Sequence, residues 1–118
     1  RGDDPEIYTV RRPGPLSEIP LVVLVDANTA SAAEIVAGAL QTRGRAALIG
    51  QPTYGKDVIQ LAFELSDGSS LHVTAAQWQI PGLDANISAE GLQPDVRVKP
   101  GEDGQDTTML AAVVYFSP

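Results

Sequence analysis

The 118-residue chain has no cysteine and a single histidine, His72. Without thiols there is no disulfide framework, no cysteine nucleophile and no Cys-ligated zinc. One imidazole cannot build a His-rich metal centre either, so no metal and no cofactor are expected. Positive charge is also scarce. Eight Lys and Arg stand against fifteen Asp and Glu, a net charge of −7, which repels phosphate backbones and anionic lipid surfaces. Nucleic acid is therefore not an expected partner. No apolar run approaches the roughly 20 residues needed to cross a bilayer, so membrane insertion is not expected. What is plentiful is apolar surface, at 43% of residues, in a chain of one-domain length. That suffices for a single hydrophobic core.

Residues 1–20 carry Pro5, Pro13, Pro15 and Pro20 and read as a connecting segment, apart from a short strand at Ile7–Val10. The triplet Arg1-Gly2-Asp3 is given no weight, because tripeptides recur by chance at frayed termini. The core runs from 21 to 98, followed by a tail at 99–118. Leu21–Val25 is apolar at every position, as in a strand covered on both sides of a parallel sheet. Ala32–Thr42 reads as a helix with Ile35, Val36, Ala39 and Leu40 as its inward stripe, ended by Gly44. Ala46–Ile49 is a second short strand. Strand, helix and strand make one right-handed βαβ unit of an α/β fold. Val58–Leu65 and Ser70–Trp78 alternate and are joined by Asp67-Gly68, which predicts a β-hairpin. Beyond an irregular stretch at 79–93, Pro94–Val98 predicts a last strand. Asp106–Phe116 predicts a terminal helix with Met109, Leu110, Val113 and Val114 inward.

Three sets of residues could carry chemistry. A Ser-His-Asp triad would need His72, which lies in a predicted strand on the face opposite Leu71 and Val73 and reads as a partly solvated sheet residue. Gly50-Gln51-Pro52-Thr53-Tyr54-Gly55-Lys56 satisfies the phosphate-loop pattern after a strand. Asp57 stands where Ser or Thr should hold magnesium, however, and a strand follows where a helix should aim its amides at the anion. Nucleotide binding is not expected. Ser31 lies between a strand and a helix start, where unpaired backbone N–H groups can stabilise an oxyanion. Ser31-Ala32-Ala33-Glu34 is equally a capping box, in which the hydroxyl accepts from the Glu34 amide. The two readings are compatible, because the hydroxyl keeps its own proton. Lys56 is the candidate base, given apolar surroundings from Tyr54, Val58 and Ile59; the alternative is a solvated turn lysine.

Taken together, these motifs resemble the carboxyl-terminal processing (tail-specific) peptidases, serine endopeptidases with a Ser/Lys mechanism and a ClpP/crotonase-like core. The resemblance spans Pro20–Val98. Thr29-Ala30-Ser31-Ala32-Ala33-Glu34 matches the family's serine motif, and Thr53-Tyr54-Gly55-Lys56-Asp57 matches its lysine motif. Gly91-Leu92-Gln93-Pro94-Asp95 matches a later one. The resemblance implies Ser31 as nucleophile, Lys56 as base, Gln60 as the residue that orients Lys56, and the Ala32 backbone N–H as an oxyanion donor. On a regular strand Lys56 and Gln60 would stand about 13 Å apart, so their contact predicts an irregularity between them. Asp57 replaces the family's glycine and, unless it points away, favours the charged form of Lys56. The family's preceding strand, which supplies a second oxyanion amide, and its PDZ module are absent, so the chain is expected to be a piece of a larger catalytic domain. Whether the piece is active alone stays open. The implied substrates are extended or unfolded protein tails, the implied location is the periplasm or another extracytoplasmic space, and homo-oligomerisation is left open. The alternative is a non-catalytic ligand-binding or scaffold module of the same fold.

Overall fold

A computed structural model describes residue 12 and residues 14–83, 87–102 and 104–117. The expected strand at Ile7–Val10 and the Arg1-Gly2-Asp3 triplet lie outside the described residues. Strand β1 (Val22–Val25) leads into helix α1 (Ala32–Thr42), which returns the chain to β2 (Ala47–Gly50). The two strands are parallel, with Val22 opposite Ala47 and Val25 opposite Gly50. The expected βαβ unit is therefore present. Gly44, at φ 62°, ends α1 in the left-handed conformation, with its N–H on the Gln41 carbonyl at 2.9 Å. The Arg45 guanidinium donates to the carbonyls of Leu16 at 2.8 Å and Ile19 at 2.7 Å, tying the incoming segment to this turn.

The hairpin strands β3 (Val58–Glu64) and β4 (Ser70–Gln77) form a separate antiparallel sheet. The short helix α2 (Ile87–Glu90) follows. Strand β5 (Val96–Arg97) then joins the first sheet in parallel beside β2, in the order β1-β2-β5, and α3 (Thr107–Tyr115) packs across β1 and β2. The central position thus belongs to β2, in which the adjacent residues Leu48 and Ile49 are both fully buried. Successive side chains on a strand face opposite ways, so both faces of the sheet are covered there. Strand β1, expected to be the covered one, is at the sheet's edge among the described residues, and its Leu24 is exposed.

Neither long helix buries the expected stripe in full. In α1 the buried residues are Glu34, Ala37 and Gly38; of the expected stripe Ala39 and Leu40 are half-buried, while Ile35 and Val36 are exposed. The reason is close approach: a Cβ on Gly38 would stand 2.2 Å from Ile80 Cδ1, so the helix docks through its smallest residues. In α3 only Ala112 is buried, and Met109, Leu110, Val113 and Val114 point outward. The core gathers Val25, Ala37, Leu48, Ile80, Ile87 and Leu92, with Val23, Trp78 and Leu83 packed against it. The hairpin contributes little to that core. Its residues from Ile59 to Gln77 are exposed, with Leu61 opposite Val73 and Phe63 opposite Leu71 on one face.

Candidate active site

Ser31 occupies the turn between β1 and α1 with φ 55° and ψ −120°, the one non-glycine among the described residues at positive φ. That conformation costs a non-glycine residue about 1–3 kcal/mol and persists only where its surroundings over-determine it. The surroundings do so. Before the serine, Asp26 closes an Asx turn, accepting from the N–H groups of Asn28 at 3.0 Å and Thr29 at 2.9 Å and from the Thr29 hydroxyl at 3.0 Å. The Thr29 hydroxyl bond and these amides hold the carboxyl of the exposed Asp26 below its usual value against a slight opposing desolvation. After the serine, the Glu34 carboxylate reaches back to the Ser31 N–H at 2.8 Å. The Glu34 amide in turn faces Ser31, with its N–H on the Ser31 carbonyl at 2.9 Å. The expected capping box between Ser31 and Glu34 is thus present, and the hydroxyl keeps its own proton. The next N–H, that of Ala32, has no partner among the described residues.

Glu34 does more than cap. Fully buried, its carboxylate is the acceptor for four donors from two loops. Oε2 takes the N–H groups of Ser31 at 2.8 Å and Lys56 at 2.9 Å. Oε1 takes the Gly55 N–H at 2.7 Å and the Thr53 hydroxyl at 2.5 Å. A further bond, Tyr54 N–H to the Thr29 carbonyl at 2.9 Å, joins the same two loops. The backbones of Ser31 and Lys56, 25 positions apart in the chain, are thereby held on one carboxylate oxygen. Sequence reading took Glu34 only as the far end of a capping box. The signal was present in the pattern, but its second set of partners is set by the tertiary path of the lysine loop.

The same bonds dispose of the phosphate-loop pattern. The Gly55 and Lys56 amides that a phosphate would require already face a carboxylate, and β3 follows where that motif needs a helix. Gly55 itself, at φ 87°, lies so close to α2 that a Cβ would stand 2.4 Å from the Ile87 carbonyl oxygen. Gly91, at φ 65°, meets Thr53 in the same way, 2.1 Å from its carbonyl oxygen. The lysine loop is thus wedged between Glu34 and the Ile87–Leu92 segment.

Lys56 is half-buried. Its Nζ lies 3.5 Å from Gln60 Oε1, at the outer limit of hydrogen-bond reach. The expected irregularity is a register shift between Ile59 and Gln60. The Asp57 carboxylate turns to Gln77 Nε2 at 3.3 Å. Tyr54 and Ile59 are largely exposed, so the apolar surroundings expected around Lys56 are not closed by these two side chains. His72 is exposed on the hairpin, on the Ala62 side of the sheet, with Nε2 3.2 Å from Ser70 Oγ. No group of His, Asp or Glu among the described residues is arranged to hold a metal. A cavity of about 360 Å³, lined by Leu24, Val25, Asp26, Thr29, Asp106 and Thr108, opens at the C-terminal end of β1 beside the serine loop. Crevices at the carboxyl ends of parallel strands are where open α/β sheets bind ligands.

Burial alone would raise the Glu34 pKa, but the Thr53 hydroxyl and the amides of Gly55, Lys56 and Ser31 outweigh it and bring the carboxyl below its ordinary 4.5. Its place in the first turn of α1 adds the favourable helix dipole. A lowered folded-state pKa gives stability that is complete above about 4.5 and is lost as pH falls through the folded value. Hydrogen-exchange protection of the Gly55 and Lys56 amides should therefore hold from neutrality to about pH 4.5 and decline below it. Protection unchanged well into the acid range would show that the ionised carboxylate is not what holds the loop.

The turn thus brings together a serine at positive φ, the unpartnered Ala32 amide behind it and the backbone of Lys56, held through its N–H on the Glu34 carboxylate that also holds the Ser31 N–H. The chain belongs to peptidase family S41, whose model matches residues 1–98. It is 48% identical over 99 residues to the carboxyl-terminal-processing protease of Picosynechococcus, a match covering 75% of this chain and 24% of the relative. It is 45% identical over 111 residues to carboxyl-terminal-processing peptidase 3, chloroplastic, of Arabidopsis thaliana, covering 85% of this chain and 21% of the relative. Among solved structures, the photosystem II D1 C-terminal processing protease is similar with a TM-score of 0.55 and 49% identity, covering 69% of this chain and 21% of its own. The chain thus spans less than a quarter of the length of these relatives.

Proposed function

We propose that this chain carries the nucleophile and base of a serine endopeptidase that cleaves extended protein C-terminal tails through a Ser31–Lys56 dyad. The observation that carries the reading is the convergence of the Ser31 and Lys56 amides on Glu34 Oε2. Ser31 Oγ attacks the scissile carbonyl while Lys56 Nζ, neutral at that moment, takes the hydroxyl proton. The oxyanion of the tetrahedral intermediate is received by the Ala32 N–H. As the peptide C–N bond breaks, Lys56 returns the proton to the leaving amine, and a water then attacks the acyl-serine by the same route. Gln60 orients the amine between these steps. Asp57, which would favour a non-catalytic module if it held the lysine, has its carboxylate on Gln77, and this supports the catalytic reading.

The reading extends to architecture and setting. The parallel βαβ sheet with its separate hairpin is part of a ClpP/crotonase-like core, completed in the full-length protein by a further strand that supplies the second oxyanion donor. Loss of one such donor costs about 10²–10³ in rate, so both amides are needed for full activity. Substrate tails dock as an added strand, where main-chain bonds give affinity with little sequence preference. The proposed site of action is extracytoplasmic, as the resemblance to the processing peptidases implies.

A fluorophosphonate probe tests the dyad without any need to know the substrate. The full-length protein is expected to take up the label on Ser31, and Lys56→Ala is expected to slow labelling at least about 100-fold at neutral pH. Label on a different residue, or an unchanged rate in Lys56→Ala, would reject the dyad.

A further inference from the structure

Thr53 is buried, and its hydroxyl makes two bonds of opposite sense. The oxygen accepts the Leu92 N–H at 2.8 Å, and the proton goes to Glu34 Oε1 at 2.5 Å. An amide can only donate and an ionised carboxylate can only accept, so the direction of the hydroxyl is fixed by its neighbours. The Thr53 N–H in turn donates to the Leu92 carbonyl at 3.1 Å, so the two residues are bonded twice. Thr53 thus fastens the Leu92 segment to the same carboxylate oxygen that holds Gly55. The other oxygen of that carboxylate holds Ser31 and Lys56. Rotation of the Glu34 carboxylate would move both loops at once, and the Thr53 hydroxyl is the side-chain donor that resists it.

We infer that Thr53 is a positioning residue of this site, whose hydroxyl, braced by Leu92, fixes the Glu34 carboxylate and through it the placement of the Lys56 backbone relative to Ser31. This rests on the proposed dyad. It makes the Gly91–Leu92 segment, which touches neither Ser31 nor Lys56 by any hydrogen bond, part of what aligns them. The hydroxyl is also one of the groups that keep Glu34 ionised, since a protonated carboxyl would set an O–H against four donors.

The test compares Thr53→Val, which keeps the shape and removes the hydroxyl, with Thr53→Ser, which restores the hydroxyl, in the full-length protein acting on an unstructured polypeptide. Thr53→Val is expected to lower kcat about 10- to 100-fold, the range for loss of one hydrogen bond to a charged group, with KM within about twofold. The acid limb of its activity should move to higher pH. Thr53→Ser should return kcat to within about threefold of the parent and restore the acid limb. A Thr53→Val enzyme with the parent's kcat and pH profile overturns the inference. So does a Thr53→Ser enzyme as slow as Thr53→Val. If Thr53→Val does not fold, Thr53→Ser decides: retention of kcat and acid limb supports the role, and a tenfold loss overturns it. Ser31→Ala is run beside them. Undiminished cleavage in that variant would defeat the dyad itself, whereas its loss together with an unaffected Thr53→Val defeats only the role of Thr53.

Discussion

Replacing Ser31 or Lys56 with alanine should each lower kcat/KM of the full-length protein on an unstructured polypeptide by about 10⁴- to 10⁶-fold, and the double variant should be no worse than either alone. The size follows from what is lost. Without the hydroxyl there is no covalent intermediate. Without the amine the hydroxyl keeps its proton at neutral pH and is a weak nucleophile. Non-additivity is the sharper expectation, because groups that act as one unit cannot be removed twice. Glu34 would still hold the two loops in either variant, since it grips them by backbone amides and not by these side chains. Folding should therefore be unaffected. Activity that survives at more than about a hundredth of the parent's in either variant would assign the chemistry to other residues.

The second large effect is at Glu34. Glu34→Ala leaves the N–H groups of Ser31, Gly55 and Lys56 and the Thr53 hydroxyl without their acceptor. A buried donor left unmet costs about 1–3 kcal/mol, and here several lose their acceptor at once. Native domains have only about 5–15 kcal/mol in total. Hydrogen-exchange protection of the Gly55 and Lys56 amides should fall at least about 100-fold, and peptidase activity should fall with it. Glu34→Gln should be little better. Whichever way its amide is turned, the NH₂ replaces an oxygen that receives two donors. Thr53 can rotate to accept, but Gly55 N–H cannot. Wild-type protection in Glu34→Gln would mean that shape and not charge holds the loops.

The sequence was most legible where local signals agree. The bounds of α1 follow from a turn rich in small and polar residues before Ala32 and from Gly44 after Thr42, and the hairpin follows from alternation on both sides of Asp67-Gly68. The inward faces of α1 and α3 were not legible. Periodicity assigns the largest apolar side chains to the core, yet Ala37 and Gly38 dock where Ile35 and Val36 cannot, because Ile80 and Leu92 come within van der Waals reach of the backbone. At the site, the candidate residues were legible from two motifs far apart in the chain. What joins them was not. A glutamate three residues after a serine reads as a local cap, and only the folded path of residues 53–56 shows that its other lone pairs serve a different loop. The positive φ of Ser31 was equally hidden, since Ser-x-x-Glu predicts an ordinary N-cap conformation.

The most direct measurement is a crystal structure of the full-length protein with a phosphonate adduct on Ser31. The account predicts Lys56 Nζ within about 3 Å of Ser31 Oγ, the adduct oxygen within about 3 Å of the Ala32 N–H, and Glu34 still bonded to the amides of Ser31 and Lys56. A Lys56 amine turned out to solvent, with the adduct oxygen held by other donors, would contradict it.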